Sequence, residues 1–156
     1  MIKPKVAVGA FMIITQAQHR PEGLIGCLLL VWESSVRTTH DFLSEQDIVM
    51  LRPAVADALR HVPKLFLAAE NEHPIAFLGM DGEHVEMLFV DAQFQRQGTG
   101  GALLRKALAQ GARRVDVNEQ NPQALAFYLH MGFAVTGRSA TDSLGLPFPI
   151  LHLTIA

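Results

Sequence analysis

Residues 85–101 read Val-Glu-Met-Leu-Phe-Val-Asp-Ala-Gln-Phe-Gln-Arg-Gln-Gly-Thr-Gly-Gly, and residues 121–133 read Asn-Pro-Gln-Ala-Leu-Ala-Phe-Tyr-Leu-His-Met-Gly-Phe. In the first stretch a buried strand leads into a glycine-rich turn that opens a helix. The unpaired backbone N–H groups at a helix start lie at the positive end of the helix dipole and bind anions. Glycines at 98, 100 and 101 let the backbone approach a phosphate without a Cβ in the way. The stretch therefore predicts a phosphate-binding turn between a strand and a helix.

The spacing of these glycines excludes two common phosphate-binding motifs. The turn lacks the Gly-x-x-x-x-Gly-Lys-Ser/Thr of a P-loop and the Gly-x-Gly-x-x-Gly of a dinucleotide site. It resembles instead the pyrophosphate loop of the GNAT superfamily of N-acetyltransferases, Gln/Arg-x-x-Gly-x-Gly/Ala, which Gln95, Gly98 and Gly100 match. The family's second signature is an Asn, an Ala and a Tyr before Gly-Phe, and here these are Asn121, Ala124, Tyr128, Gly132 and Phe133.

Three further segments resemble the YjaB type of bacterial GNAT protein: residues 39–43 (Thr-His-Asp-Phe-Leu), 117–121 (Val-Asn-Glu-Gln-Asn) and 135–139 (Val-Thr-Gly-Arg-Ser). One signature alone is weak, whereas both signatures in order, with a strand between them, are specific. The resemblance implies an N-acetyltransferase that moves the acetyl group of acetyl-CoA directly to a primary amine within a ternary complex. It implies acetyl-CoA as cosubstrate and no metal.

Composition is typical of one globular domain. The chain has 156 residues, of which 49% are apolar and 18% charged, which suits a single domain with a real core. The net charge of −2 argues against nucleic-acid binding driven by an overall positive charge. No apolar run reaches the ~20 residues of a membrane helix. We expect one GNAT domain over residues 1–156, a monomer or homodimer, without nucleic-acid or membrane partners.

The single cysteine, Cys27, excludes an internal disulfide and suits a reducing compartment, so we expect a cytoplasmic protein. Because Cys27 lies in an apolar helical pattern, it is expected to pack in the core rather than to react. Lys3 and Lys5 precede an apolar run and imitate a signal peptide, but no small-x-small cleavage site follows. We expect residues 10–15 to form the first strand and residues 1–9 to be an N-terminal extension.

The remaining pattern predicts the element order β-α-α-β-β-β-α-β-α-β-β. Ser44 and Asp47 resemble a helix start, and Pro53 predicts a kink or a split in that helix. Residues 65–69, 74–80 and 84–91 read as an antiparallel meander, and the helix before residues 114–118 implies a parallel crossover. The resemblance implies the α/β GNAT fold, a central mixed, mostly antiparallel sheet of about seven strands flanked by about four helices.

The resemblance also implies where acetyl-CoA lies. The pyrophosphate would rest on the backbone of the glycine turn, and backbone groups of the preceding strand would pair with the pantetheine arm, with one N–H facing the acetyl oxygen. The same strand residues also read as plain core, and both roles are compatible. Arg96 could be solvated, but a guanidinium matches phosphate geometry. The expected cofactor-binding residues are Leu88, Phe89, Val90, Gln95, Arg96, Gln97, Gly98, Thr99, Gly100, Gly101, Asn121 and Tyr128.

Acetyl transfer to an ammonium also requires proton transfers. Tyr128 occupies the family's general-acid position, and an ordinary tyrosine, with a pKa of about 10, is protonated at neutral pH. Three residues are candidates for the general base. Glu86 is preferred, because strand alternation places it on the same face as Leu88 and Val90.

The rivals of Glu86 lie on other segments. Asp116 shares a strand face with Asn118, and His40 has the ordinary histidine pKa that suits base work. His84 adjoins Glu86 but is assigned to the opposite strand face and ranks lower.

Two other functions stay open, namely a catalytically silent acyl-CoA-binding sensor or regulatory module, and a nucleotide-binding α/β domain of another kind. The presence of Tyr128 and Glu86 favours the enzyme. The acceptor, a small-molecule amine or an amine of a peptide or protein, does not follow from the fold. Its specificity is expected in the first two helices and the loop 138–148.

Overall fold

The computed structural model describes residues 12–156. Within them the elements follow the predicted order, with one added 3₁₀ turn, Ala92–Phe94, before the third helix. The strands are β1 (Met12–Gln16), β2 (Lys64–Glu70), β3 (His73–Asp81), β4 (His84–Val90), β5 (Arg114–Asn118), β6 (Ala134–Ser139) and β7 (Ile150–Thr154), and the helices are α1 (Glu22–Thr39), α2 (Glu45–His61), α3 (Thr99–Ala109) and α4 (Pro122–His130). The predicted extension 1–9 and the first residues of the predicted strand 10–15 lie outside this range. In the range described, no helix is long and apolar enough to cross a membrane.

The seven strands form one sheet in the order β1-β2-β3-β4-β5-β7-β6. Strands β4 and β5 run parallel, whereas the other neighbouring strands described run antiparallel. The predicted mixed, mostly antiparallel sheet of about seven strands is therefore confirmed. The parallel pairing is short, because it joins only His84 to Arg114 and Val85 to Val115. Beyond these two pairs the strands separate, and the outer half of β4 has no partner on its β5 side.

Apolar side chains cover both faces of the sheet. On one face, Leu103 and Leu104 of α3 are fully buried with Leu78 of β3. On the other, Leu28 of α1 and Leu59 of α2 are fully buried in a second cluster. Burial of each such side chain contributes about 1.5–3 kcal/mol. The two layers hold the β4–β5 gap between α3 and α4 on one side and α1 and α2 on the other.

Helix α2 begins at the predicted capping box, in which Ser44 and Asp47 each accept a hydrogen bond from the other's backbone N–H. It continues through Pro53 without interruption, so of the predicted kink or split the split is wrong, and the kink stays a prediction. Proline removes one intrahelical hydrogen bond, and the burial of Ile48, Ala56 and Leu59 keeps the helix in one piece.

Cys27 is exposed, and the prediction that it packs in the core is wrong. Each helical residue turns by about 100°, so Cys27 lies on the side of α1 away from the buried Ile25. The apolar residues of α1 outnumber the positions that its neighbours cover, and Leu30 is likewise exposed.

A β-bulge interrupts the alternation of β4. Gly79 pairs with Met87 and Met80 pairs with Val85, so Glu86 is the extra residue of the pair. Consequently Val85 packs in the same cluster as Leu88, although three positions separate them. The prediction that simple alternation aims Glu86 with Leu88 and Val90 is therefore wrong.

Candidate functional site

A cavity of about 650 Å³ opens between the end of β4, the glycine turn and α4. Leu88, Phe89 and Val90 line it on the sheet side, with Gly98 and Gly100 at the start of α3. Its volume is in the range that takes a cofactor-sized ligand. The cavity lies where β4 has separated from β5, so backbone groups of β4 face it without a strand partner.

The backbone of the glycine turn adopts left-handed conformations at two positions. Gly98 caps α3 with a φ of 86°, and Arg96 has a φ of 61°, which is unfavourable for a residue with a side chain. Gln95 donates from Nε2 to the carbonyl of Val90 at 3.2 Å, which ties the turn to the strand. The first helical hydrogen bond of α3 runs from Ala102 N to Gly98 O. The N–H groups of residues 99–101 therefore remain available to an anion.

The side chains of the turn divide into two groups. Gln95 and Arg96 line the cavity, whereas Gln97 and Thr99 do not. The Gln97 amide lies 3.4 Å from Gln93 O. Thr99 is buried, and its hydroxyl has no hydrogen-bond partner among residues 12–156. Gln97 and Thr99 can therefore contact a ligand in the cavity only through their backbone.

Arg105, which the sequence analysis did not select, adds a second cation to the cavity. Its Nη1 lies 3.3 Å from the point that a Cβ on Gly101 would occupy. The signal was present, because positions four apart share one face of a helix. Free N–H groups and two guanidiniums, those of Arg96 and Arg105, together fit a diphosphate.

Tyr128 lies at the deep side of the cavity, only 6% exposed. Its ring makes edge contacts with Phe127 and Phe133, at centroid distances of 5.0 and 5.5 Å. Burial raises the pKa of the Tyr128 hydroxyl above its usual value. The side chain is therefore a neutral hydroxyl throughout the neutral and mildly alkaline range, and it can act as a proton donor.

Asn121 fixes the start of α4, since its Oδ1 accepts from Ala124 N at 3.1 Å. Its Nδ2 then points at His40 Nε2, 3.3 Å away. Because the Thr39 hydroxyl donates to Ser35 O at 2.8 Å, it accepts from His40 Nδ1 at the same distance. Both ring nitrogens of His40 are engaged, and the residue joins the end of α1 to the start of α4.

The electrostatics of His40 do not favour base work. Burial lowers the pKa of His40 to about 4, with nearby Asp41 opposing the shift. An ordinary histidine pKa was the reason for selecting His40, and that premise is wrong. His40 nevertheless lines the cavity, and its predicted role as base stays a prediction.

A smaller cavity of about 120 Å³ adjoins the first, and Leu88, Phe89 and Tyr128 line both. Glu86 and Asp116, which are 45% and 42% exposed, line only the smaller cavity. The structure therefore brings these two rival carboxylates together beside the β4–β5 gap.

Three side chains connect these carboxylates to the sheet. His84 Nδ1 lies 3.4 Å from Glu86 Oε1, and His84 Nε2 lies 3.3 Å from Asp116 Oδ2. The prediction that His84 faces away from Glu86 is wrong, since residues two apart on a strand share a face. His152 and Ser139 were not selected from the sequence, because β7 pairs with β5, and β6 with β7, only in the folded sheet. His152 Nδ1 lies 2.6 Å from Asp116 Oδ1, and His152 Nε2 lies 2.7 Å from Ser139 Oγ.

The family described as "Acetyltransferase (GNAT) domain" matches residues 42–148. The peptidyl-lysine N-acetyltransferase YjaB of Salmonella typhimurium is 42% identical over 127 residues, which cover 81% of this chain and 88% of that protein. The solution structure of apo-form YjaB from Escherichia coli has a TM-score of 0.82 and 36% identity, over 92% of this chain and 98% of that one. The crystal structure of PaiA N-acetyltransferase from Thermoplasma acidophilum in complex with coenzyme A shares the fold, with a TM-score of 0.64 and 18% identity over 90% and 98% of the chains.

The motifs, the sheet with its β4–β5 gap and these relatives agree. The predicted acetyl-CoA-dependent N-acetyltransferase is thereby confirmed over a silent binding module or a nucleotide-binding domain of another kind. The chain belongs to the GNAT family of acetyltransferases.

Proposed function

We propose that this protein transfers the acetyl group of acetyl-CoA directly to the Nε atom of a lysine side chain in a protein or peptide. The observation that carries the proposal is the β4–β5 gap, which joins a cofactor-sized cavity to a small carboxylate-lined one. Lysine as the acceptor is supported by the relative that is 42% identical and is named a peptidyl-lysine N-acetyltransferase.

Acetyl-CoA supplies the thioester, and the residues of this chain bind and orient it. The N–H groups of residues 99–101 and the guanidiniums of Arg96 and Arg105 bind the diphosphate. The backbone of residues 88–90, which has no strand partner on its β5 side, binds the pantetheine arm, and one N–H there stabilises the oxyanion. Asn121 holds α4 in place, so that Tyr128 faces the gap.

Glu86 takes the proton that the lysine ammonium must lose before its nitrogen can attack. Glu86 and Asp116 line the smaller cavity, and two carboxylates beside one cation attract it and align it with the gap. A cavity of about 120 Å³ suits a slender aliphatic chain. Once the tetrahedral intermediate collapses, Tyr128 donates its proton to the departing thiolate.

We further propose that the protein acts in the cytoplasm and that its described part works as a single domain. The first proposal is supported by the exposed free Cys27, since an exposed thiol suits a reducing compartment. The second is supported by the single sheet that carries both apolar clusters. The expected monomer or homodimer stays a prediction, which light scattering tests.

Mass spectrometry of two matched peptides tests the choice of acceptor. One peptide has a free lysine and an acetylated N-terminus, and the other has a free N-terminus and arginine in place of lysine. We expect acetyl-CoA-dependent addition of one acetyl group to the lysine peptide. Acetylation of the free N-terminus alone would show that the enzyme acts on α-amines and would contradict the proposal.

A further inference from the structure

A row of polar side chains in contact with one another crosses four strands on one face of the sheet. This polar row consists of Glu86 and His84 on β4, Asp116 on β5, His152 on β7 and Ser139 on β6. Within residues 12–156, no group of three or more His, Cys, Asp or Glu side chains is placed to hold a metal ion. The polar row is therefore suited to protons rather than to a metal.

The contacts of Asp116 place the protons of the two histidines. An ionised carboxylate only accepts hydrogen bonds, so His152 Nδ1 donates to it at 2.6 Å. His84 Nε2 lies 3.3 Å from the other oxygen of Asp116, an electrostatic contact, and the proton of that ring is placed there. His152 Nε2 then accepts from the Ser139 hydroxyl. His84 Nδ1 is left without a proton.

This bare nitrogen is the unusual feature of the polar row. His84 Nδ1 is buried and has no hydrogen-bond partner in the described part of the chain. Glu86 Oε1 lies 3.4 Å away, and two acceptors do not bond to each other unless a proton lies between them. A buried acceptor without a donor is unfavourable, and a proton on Glu86 would relieve it.

We propose that His84 is a positioning residue that joins Glu86 and Asp116 into one proton acceptor. The inference rests on the proposed function, in which Glu86 meets the lysine ammonium. The N–H bond of the ammonium breaks and its proton goes to Glu86. His84 Nδ1 takes that proton while the proton on Nε2 moves to Asp116, which is 42% exposed and releases it to water. One proton leaves the ammonium, one reaches solvent, Glu86 is again ionised, and the His84 ring now carries its proton on Nδ1. Before the next turnover, Asp116 returns a proton from water to Nε2 while Nδ1 gives its proton to Glu86, which is 45% exposed and releases it to water.

The charged groups around His84 come from three strands. Asp81 on β3 and Arg114 on β5 pair with it in register, and Glu86 and Asp116 contact its ring. Arg114 in turn lies 3.9 Å from Glu83. All these groups can contribute to the pH dependence of the enzyme's activity. The role of His84 is therefore tested by the NMR signals of its own ring nitrogens.

Nitrogen-resolved NMR of the imidazole rings tests the geometry without any assay of activity. In the free protein at pH 8 we expect His84 to carry its proton on Nε2, with Nδ1 bare. A proton on Nδ1 in that spectrum would overturn the proposal, because Glu86 would then have no vacant acceptor behind it.

The variant His84→Gln tests the relay. Glutamine keeps an N–H donor in reach of Asp116 but cannot pass a proton from one side to the other. We expect kcat/KM at pH 7 to fall by roughly 10- to 100-fold, and the deficit to shrink towards pH 10, where the lysine amine deprotonates unaided. Calorimetric affinity for acetyl-CoA should be unchanged, which verifies that the variant folds.

The matched control is His73→Gln, on the exposed end of β3, which should leave the whole profile unchanged. If His84→Gln superimposes on the wild type at every pH, His84 is only structural and the proposal is wrong, while the lysine acetyltransferase stands. If the wild type fails to acetylate lysine peptides, the proposed function fails instead. In that case the pH profiles of the wild type and His84→Gln are compared with a small primary amine as acceptor. The NMR test needs no acceptor and remains valid.

Discussion

Replacing Gly100 by glutamate is the sharpest test of the cofactor cavity. A Cβ added at Gly100 would lie 3.6 Å from Val90 Cγ2 and 3.6 Å from Phe127 Cζ. Both are ordinary van der Waals distances, so the backbone need not move, and Gly100→Ala should fold at least as well as the wild type. Because Val90 and Phe127 line the cavity, a longer side chain at this position enters it.

The glutamate carboxylate would then lie near the diphosphate. At roughly 5 Å and an effective dielectric constant near 20, each pair of like charges costs about 3 kcal/mol. About 1.4 kcal/mol corresponds to a tenfold change in Kd, so we expect Gly100→Glu to bind acetyl-CoA at least ~100-fold more weakly. Gly100→Gln has nearly the same shape without the charge and should lose less.

Isothermal titration calorimetry of the wild type and the three variants measures these differences. Because added salt screens charge repulsion and not steric overlap, the gap between Gly100→Glu and Gly100→Gln should narrow as ionic strength rises. Undiminished acetyl-CoA binding by Gly100→Glu would refute the placement of the diphosphate at the start of α3.

Three further predictions concern side chains of the site. Tyr128→Phe keeps the ring contacts and removes the proton donor. Stopped-time assays should therefore show kcat lower by roughly ten- to a thousand-fold, with little change in acetyl-CoA affinity. Full retention of kcat would mean that another group protonates the thiolate. Glu86→Gln should lose most rate at low pH, where free amine is scarce, and recover partly as the pH rises; a wild-type profile, together with a collapse in Asp116→Asn, would assign the base to Asp116. The pKa of His40 is about 4 in the folded chain and about 6.5 in the unfolded one. The contribution of His40 to the free energy of unfolding is therefore complete above pH 6.5 and is lost as the pH falls towards 4. Urea unfolding should show a loss of up to about 3 kcal/mol over that window that His40→Gln lacks, and equal losses in both proteins would disprove the shift.

The cofactor half of the site could be predicted because its determinants are local in sequence. Glycine at 98 allows a positive φ, and Asn121 and Pro122 are favoured at the cap and first position of a helix. These signals lie within one strand-turn-helix unit each, and the structure places them beside one cavity.

The acceptor half could not be read in the same way, because it depends on pairing between distant strands. The bulge at Glu86 follows from the register of β3 against β4, and alternation within one strand does not reveal it. His152 reaches Asp116 only because β7 inserts between β5 and β6. The pKa of His40 likewise follows from burial between α1 and α4, which are far apart in the chain.

Release of CoA thiol, measured while acetyl-CoA and a lysine peptide are both varied, tests the central claim most directly. Direct transfer in the β4–β5 gap predicts that thiol release depends on the peptide, equals the acetyl-lysine formed, and gives intersecting double-reciprocal lines. Thiol release that is independent of the peptide, or parallel lines from an acetylated enzyme, would contradict direct transfer to lysine at this site.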